Sequence, residues 1–174
     1  GRKMKPLTVI MPSMNSGDFI SETLNQLIGS KEELRILIAD GGSTDSTLEV
    51  INSYIKKGLD INIISKSDSG QSDALNKLIG FIQTDFFLWL NADDLIHKDF
   101  IDFVLSTLGN LSNDEKSNLI SITSNSLIVD EKSQFLGYQI GLKDRKHLVE
   151  NGIWFGKFPC RIWNTKLVRS AGLF

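Results

Sequence analysis

An uninterrupted apolar run, F-F-L-W-L, occupies positions 86–90 and is followed directly by N-A-D-D. The run is too short to cross a membrane, and its residues do not alternate with polar ones, so it predicts a strand that is buried on both faces of a sheet. A sheet with two buried faces is typical of α/β proteins, because helices cover it on both sides. This stretch therefore predicts an α/β fold.

Residues 5–110 alternate between strand patterns and helix patterns. Short apolar, β-branched runs at 7–11, 34–39 and 61–65 predict three further strands. Apolar residues at helical spacing follow each strand, including the one at 86–90. This order predicts a mostly parallel central sheet with right-handed crossovers and flanking helices.

The pattern changes beyond Leu111. Residues 119–123, 127–129 and 135–138 predict short strands, which we expect to be antiparallel. Residues 164–171 predict a short helix. The last part of the chain is therefore expected to be smaller and rich in strands.

Length and composition are those of one globular domain. The 174 residues, 41% of them hydrophobic, are enough for a sizeable core. A net charge of −2 gives no reason to expect nucleic acid as a partner, and a single cysteine excludes an internal disulfide. No stretch of this sequence approaches the roughly 18 apolar residues that a spanning helix needs. We predict a single domain over residues 1–174.

Polar loops follow the four predicted parallel strands, at residues 12–15, 40–45, 68–73 and 91–94. The carboxyl ends of parallel strands lie at one edge of the sheet, where ligands bind in open α/β folds. Each loop contains small residues and a carboxylate or an amide. This inventory suits a nucleotide, since base, ribose hydroxyls and metal-held phosphates all need such groups.

Side chains in two of these loops have both a structural and a functional interpretation. Asp93 and Asp94 repel each other unless a cation or hydrogen-bond donors hold them, so a divalent metal is one explanation. The alternative is a polar turn whose acids cap the next helix. In the second loop we expect Ser43 or Thr44 to cap the following helix, and Asp45 to interact with its dipole, with contact to a ligand as the alternative for Asp45.

The signatures of other nucleotide sites are missing. No G-x-G-x-x-G follows the first strand, where a dinucleotide-binding fold has its phosphate turn, and no G-x-x-x-x-G-K-[ST] motif is present. A sugar nucleotidyltransferase should have a glycine-rich loop with basic residues after strand one, but residues 12–15 are P-S-M-N. These absences disfavour the dinucleotide-binding, P-loop and nucleotidyltransferase classes.

With their flanking residues, the four loops read T-V-I-M-P-S-M-N, I-A-D-G-G-S-T-D-S-T, D-S-G-Q-S-D-A-L-N-K and L-N-A-D-D. In this order and at this spacing they resemble the signatures of family-2 glycosyltransferases, which have the GT-A fold. Each motif alone is weak, but the succession covers residues 7–108. The later segment F-P-C-R-I-W-N-T-K-L-V-R-S-A-G-L-F matches, more loosely, the family's region before its catalytic acid.

The resemblance implies a nucleotide-sugar site built from these loops. Pro12, Ser13 and Asn15 match the first-strand motif that lines the nucleotide pocket. Asp40 matches the acid that contacts the base or ribose, and Asp68 lies where the family has an Asp or Asn near the base. The expected donor is a nucleoside-diphosphate sugar with UDP as its nucleotide.

The resemblance also implies a metal and a reaction. Asp93 and Asp94 match the D-x-D-type element, which contacts ribose and holds Mn²⁺ or Mg²⁺ on the diphosphate. A hydroxyl of a glycan or lipid-linked acceptor displaces the diphosphate with inversion, and a carboxylate takes the hydroxyl proton as general base. We expect this base to lie beyond Phe174, in a chain truncated at its C-terminus. The alternatives are Asp144 or Glu150, or a chain without activity.

By the same resemblance, about residues 5–110 form the nucleotide-binding half and about residues 111–174 the acceptor-side half. We expect a hexosyl- or related transferase of polysaccharide biosynthesis at the cell envelope, in the cytoplasm or at the inner face of the cell membrane. Any membrane association is expected to be peripheral, through segments outside this sequence. The rival functions are a sugar nucleotidyltransferase on a related scaffold and a non-catalytic nucleotide-sugar-binding module.

Overall fold

The computed structural model describes residues 5–65, 70–119, 121–123, 126–129, 132, 134–139 and 161–172. The strands in these ranges are β1 (Leu7–Ser13), β2 (Leu34–Asp40), β3 (Ile61–Ser65), β4 (Phe86–Trp89), β5 (Ser121–Thr123), β6 (Ser126–Val129), β7 (Phe135–Gln139) and β8 (Arg161–Asn164). The helices are α1 (Ile20–Leu27), α2 (Thr47–Lys56), α3 (Gln71–Phe81), α4 (Phe100–Asn110), α5 (Asn113–Asn118) and α6 (Thr165–Ala171), with a 3₁₀ helix at Ile28–Ser30. None of the described helices has the length and hydropathy needed to span a bilayer.

Six strands form the main sheet in the order β3-β2-β1-β4-β8-β5. The first four strands of the chain are parallel, and β1 pairs with β2 from Leu7 opposite Leu34 to Ser13 opposite Asp40. β8 is antiparallel to both β4 and β5, and β6 pairs with β7 in a separate antiparallel sheet. The predicted parallel sheet, its flanking helices and the strand-rich later part are therefore confirmed.

Alternate side chains of the central strands pack into two apolar clusters, one on each face of the sheet. On one face, Val9 and Leu88 pack with residues of α1, α2 and α4. On the other face, Ile10 and Phe87 pack with residues of α3 and α6. Each face of β4 thus lies in a core, which explains why the run F-F-L-W-L contains no polar residue.

β1 continues through Pro12 to Ser13, beyond its predicted end. The backbone carbonyl of Ile10 accepts a hydrogen bond from the N–H of Leu90, so it faces the β4 side of β1. The backbone nitrogen of Pro12, two residues later, faces the same side. The pairing of β4 with β1 ends at Ile10, and the position of Pro12 therefore needs no backbone donor. Pro12 was expected to end β1, but the strand accommodates it because the side of β1 that lacks an N–H there is unpaired.

The sequence does not predict β8, whose residues R-I-W-N insert between β4 and β5. Ile162 lies opposite Leu88 of β4 and Ile122 of β5 and is buried. A strand this short contains too few residues to display a period of two. Its position in the sheet depends on long-range pairing and not on local pattern.

Candidate functional site

The loops after β1, β2 and β4 lie at one edge of the sheet, as predicted from the parallel strand order. Ser13, the last residue of β1, pairs with Asp40, the last residue of β2. On the other side of β1, Leu90 donates its backbone N–H to Ile10 (3.1 Å) just before the acidic residues begin. The loop after β3 includes Asp68, which lies outside the described residues.

Asp40 is fully buried, and its carboxylate organises the loop between β2 and α2. Oδ2 accepts hydrogen bonds from the backbone N–H groups of Gly42 (3.2 Å) and Ser43 (3.1 Å), and Oδ1 accepts one from the Ser43 hydroxyl (2.6 Å). Gly42 has a φ of 96°, a conformation that favours glycine. The prediction that Ser43 or Thr44 caps α2 is wrong, because the helix begins at Thr47 and Ser43 bonds to Asp40 instead.

The loop after β1 is bonded to this second loop through Asn15. Its backbone N–H donates to Ser43 Oγ (2.8 Å), and its Oδ1 accepts from the backbone N–H of Thr44 (2.9 Å). Asn15 has a φ of 49°, the left-handed region that asparagine tolerates better than most residues. Two predicted site residues, Asn15 and Asp40, are therefore joined by one shared neighbour, Ser43.

Gly17 marks the closest approach of the two loops. Its N–H donates to Asp45 Oδ2 (2.9 Å), and the N–H of Ser16 donates to Thr47 Oγ1 (2.8 Å). A Cβ at position 17 would lie 2.3 Å from Ser46 Oγ and 3.0 Å from Asp45 Oδ2, so only glycine fits without a shift. The sequence pattern does not predict this role. We call residues 13–17 and 40–47 together the interlocked loops.

Asp45 lies at the start of α2, as predicted. The Thr47 hydroxyl, together with the backbone N–H groups of Gly17 and Thr47, lowers the pKa of Asp45 below its ordinary value of 3.8. The carboxylate is therefore ionised at neutral pH and is well placed at the positive end of the helix dipole.

Ser13 differs from its neighbours in the interlocked loops. Its backbone oxygen accepts a hydrogen bond from Gly41 N–H (2.9 Å), but its buried Oγ has no partner among the described residues. A buried hydroxyl without a partner costs free energy, and a polar group of a bound ligand can supply the missing bond.

The residues after β4 form a tight turn, residues 91–94, which we call the acidic turn. The backbone N–H of Asp94 donates to Asn91 O (3.2 Å), and the N–H of Asn91 donates to Asp94 Oδ2 (3.2 Å). Trp89 Nε1 donates to Asn91 Oδ1 (3.0 Å). Asp93 is exposed and has no hydrogen-bond partner within the described ranges. The alternative that these acids cap the next helix is wrong, since α4 does not begin until Phe100.

Two side chains of α1 contact the backbone of this turn and of the residues just after it. Thr23 is fully buried, and its Oγ1 lies 2.8 Å from Ala92 O and 3.0 Å from Asp94 O. Gln26 Oε1 accepts a hydrogen bond from the backbone N–H of Ile96 (2.7 Å). The sequence pattern predicts neither contact. The only signal was a threonine on the buried face of the helix.

The donor set of the acidic turn fits a divalent cation that is shared with a ligand. Asp93 and Asp94 offer two neighbouring carboxylates, and no group of three or more metal-binding side chains occurs in the part of the chain that the structure describes. Mg²⁺ is typically held by one or two carboxylates together with substrate phosphates and water, whereas an all-protein cage needs more ligands. The turn is thus suited to hold a metal against a phosphorylated ligand.

Two curated relatives match about half of the chain. The poly(ribitol-phosphate) beta-glucosyltransferase of Bacillus spizizenii is 31% identical in an alignment over 98 residues, which covers 53% of this chain and 16% of that protein. The poly(ribitol-phosphate) beta-N-acetylglucosaminyltransferase TarS of Staphylococcus aureus is 30% identical over 100 residues, 55% of this chain and 18% of that protein. The matched region is therefore less than a fifth of either relative.

Solved structures share the fold at lower identity. The crystal structure of S. aureus TarS 1–349 with UDP-GlcNAc has a TM-score of 0.72 at 22% identity and covers 97% of this chain and 47% of that chain. The mannosyltransferase PcManGT of Pyrobaculum calidifontis, in complex with GDP-Man and Mn²⁺, has a TM-score of 0.68 at 16% identity, with coverages of 97% and 47%. These matches confirm the predicted GT-A fold.

The sequence model of the family described as glycosyl transferase family 2 matches residues 8–164. This match begins in β1, includes all four predicted loops and ends at the last residue of β8. It covers most of the chain and agrees with the motifs, the strand order and the acidic turn. The chain therefore belongs to glycosyl transferase family 2.

Proposed function

We propose that this chain forms the donor-binding part of a glycosyltransferase that takes its sugar from a nucleoside-diphosphate sugar, with UDP as the nucleotide. The observation that carries the proposal is the acidic turn. It presents two carboxylates at the carboxyl edge of a parallel sheet, beside loops already shaped by Asp40, in a member of a glycosyltransferase family. The complex of TarS with UDP-GlcNAc supports the choice of UDP.

The nucleotide is assigned to the interlocked loops. Pro12, Ser13 and Asn15 line the pocket in this proposal, and Asp40 and Asp68 lie near the base and ribose. The unpartnered Oγ of Ser13 supports a ligand at this position, because a polar group of the nucleotide would satisfy it. The hydrogen bonds that fix Asp40 and Asn15 imply that the pocket is formed before the nucleotide arrives.

The diphosphate is assigned to the acidic turn, where Asp93 and Asp94 hold Mn²⁺ or Mg²⁺ and Asp93 also contacts ribose. The metal, when bound, supplies positive charge that stabilises the leaving diphosphate. The Asn91 N–H orients one carboxylate by bonding to Asp94 Oδ2, and the exposed Asp93 is accessible from solvent. The Mn²⁺ complex of PcManGT supports the use of a divalent metal.

In the proposed reaction, a hydroxyl of a glycan or lipid-linked acceptor attacks the anomeric carbon. The bond from that carbon to the diphosphate breaks, so a nucleoside diphosphate leaves and the configuration inverts. A carboxylate accepts the proton of the attacking hydroxyl. Asp144 and Glu150, two acids considered for this role, lie outside the described residues.

A thermal-shift screen with UDP, GDP, CDP and ADP, each with Mn²⁺ or with EDTA, tests the donor class. We expect UDP to raise the melting temperature, and more so with Mn²⁺, because a ligand that binds only the folded state stabilises it. No shift with any of the four nucleotides would contradict the proposal.

Product analysis by mass spectrometry separates transfer from its rival chemistry. Release of UDP from UDP-GlcNAc or UDP-glucose supports sugar transfer, and NMR of the product reports the anomeric configuration. Release of pyrophosphate from UTP and a sugar phosphate would instead indicate a nucleotidyltransferase.

A further inference from the structure

Thr23 occupies an unusual position for a hydroxyl group. It lies on the face of α1 that also buries Ile20, Leu24 and Leu27 in the apolar core, and it has no exposed surface. A valine of the same shape would pack there without a polar atom. A buried hydroxyl is unfavourable unless it is hydrogen-bonded, so the contacts of this one explain its presence.

Those contacts are to the acidic turn. Thr23 Oγ1 is within hydrogen-bonding distance of both Ala92 O (2.8 Å) and Asp94 O (3.0 Å), the carbonyl groups on either side of Asp93. One hydroxyl therefore fixes the direction of the backbone around the exposed carboxylate. The turn's own backbone bond, from Asp94 N–H to Asn91 O, is long at 3.2 Å.

Gln26 extends the same support. It follows Thr23 by three positions, so the two side chains lie on neighbouring parts of one helix face. Its Oε1 accepts from Ile96 N–H (2.7 Å), two residues beyond the turn. Residues 92, 94 and 96 are thus all held by α1.

α1 follows closely on the first of the interlocked loops, which is bonded to the second. The segment that enters the helix donates from Ser16 N–H to Thr47 Oγ1 (2.8 Å) and from Gly17 N–H to Asp45 Oδ2 (2.9 Å). The helix therefore links the loops assigned to the nucleotide with the turn assigned to the diphosphate.

We propose that Thr23 is a positioning residue, whose hydroxyl sets the acidic turn at the distance from the interlocked loops that a metal-bound nucleoside diphosphate requires. Gln26 is its secondary support. This inference rests on the proposed function, since it concerns the metal and diphosphate part of that site. If Thr23 has this role, loss of its hydroxyl should reduce the affinity for nucleotide that the metal adds, and should leave the affinity without metal unchanged.

The test measures the dissociation constant of UDP by calorimetry, with Mn²⁺ and with EDTA, for the unaltered chain, Thr23→Val and Thr23→Ser. In Thr23→Val we expect the affinity gained from Mn²⁺ to fall about tenfold, because the carbonyl groups of Ala92 and Asp94 lose the one hydroxyl donor that they share. Thr23→Ser keeps the hydroxyl and should retain the gain to within about threefold. UDP affinity in EDTA should stay within about twofold in both variants, because among the described residues the Thr23 hydroxyl bonds to the acidic turn and not to the interlocked loops.

Thr8→Val is the matched control. Thr8 is equally buried, and its hydroxyl bonds to Thr84 Oγ1 (2.8 Å) near the start of β1, away from the loop edge. This variant loses a buried hydroxyl of the same kind, so a general loss of stability would affect it as well. We expect its gain from Mn²⁺ to equal that of the unaltered chain.

The inference would be overturned if Thr23→Val kept the full gain in UDP affinity from Mn²⁺, or if Thr8→Val lost that gain equally. Either result would leave the proposed function standing. If the unaltered chain bound no UDP in either buffer, the proposed function itself would fail. Should Thr23→Val be unfolded, Gln26→Met decides, since Gln26 is only half-buried. An unchanged gain in that variant would overturn the inference, and a reduced gain with EDTA affinity intact would support it.

Discussion

Asp40 and Asn15 in the interlocked loops receive their hydrogen bonds from the protein itself, whereas Asp93 in the acidic turn faces solvent without a described partner. Both regions come from motifs that the sequence marks as ligand-binding. In the first region the polar side chains form the shape of the pocket. In the second region, the carboxylate of Asp93 remains accessible to a ligand or a metal ion.

This difference shows that a motif residue can affect ligand binding in two ways, by holding a loop in shape or by contacting the ligand directly. Asp40, buried and bonded three times, affects binding through the loop that it holds. Asp93, which is exposed, can affect binding only through direct contact. Stability measurements without ligand should therefore separate the two regions, and the following variants test that separation.

The largest expected effect is that of Asp40→Ala on the free energy of unfolding. Removal of the buried carboxylate leaves the N–H groups of Gly42 and Ser43 and the Ser43 hydroxyl without their acceptor. We expect a loss of about 2–4 kcal/mol, measured by urea denaturation without nucleotide. UDP affinity in EDTA should fall as well.

Asp93→Ala is the matched control for this experiment. Its side chain is exposed and has no hydrogen-bond partner in the described part of the chain, so we expect stability to change by no more than about 0.5 kcal/mol. Equal losses of stability in Asp40→Ala and Asp93→Ala would break the distinction between the two regions.

Arg169→Met tests whether lost stability alone weakens binding. Arg169 of α6 donates through one guanidinium nitrogen to Ile79 O (2.7 Å) and Ile82 O (2.8 Å) at the end of α3. We expect a loss of about 1–2 kcal/mol in urea denaturation, because the carbonyl groups lose a charged donor. UDP affinity with Mn²⁺ should be unchanged. A matching loss of affinity would mean that binding follows overall stability and not the site residues.

The smallest expected effect is the pH dependence contributed by Asp45. The Thr47 hydroxyl and nearby backbone N–H groups hold its folded pKa below the ordinary value of 3.8, so the ionised form stabilises the folded state. That stabilisation is complete above the unfolded pKa and is lost as pH falls through the folded pKa.

Melting temperatures of the unaltered chain and Asp45→Asn, measured from neutral to strongly acidic pH, test this linkage. The unaltered chain should melt higher at neutral pH. The difference should begin to shrink near pH 3.8, where the carboxylate is protonated in the unfolded state, and should be lost below the lower folded pKa, where it is protonated in both states. A difference that stays constant down to the lowest pH would contradict the role assigned to the ionised carboxylate.

The sequence predicted those features that depend on local pattern. The apolar run before Asn91 and the spacing of the earlier strands were sufficient to predict the parallel sheet. The order of the loops was sufficient to predict the family. Asp45 was correctly assigned to a helix start. Each of these features is encoded within a few neighbouring residues.

Features that depend on contacts between distant residues were not predicted. Thr23 contacts carbonyl groups about seventy positions away, and β8 joins the sheet beside a strand far earlier in the chain. Ser43 was assigned to the wrong role for a different reason, since its partner Asp40 is close in the sequence. Its hydroxyl could cap a helix by local rules, but the buried carboxylate of Asp40 takes that bond.

The most direct test of the central claim is calorimetry of UDP with the unaltered chain and with Asp94→Ala, in Mn²⁺ and in EDTA. We expect Mn²⁺ to strengthen UDP binding to the unaltered chain by at least about tenfold, and Asp94→Ala to lose that gain while it keeps the affinity seen in EDTA. The claim that the acidic turn holds a metal on the donor diphosphate would be contradicted if the unaltered chain bound UDP equally well in Mn²⁺ and in EDTA. It would also be contradicted if Mn²⁺ strengthened UDP binding equally in the unaltered chain and in Asp94→Ala.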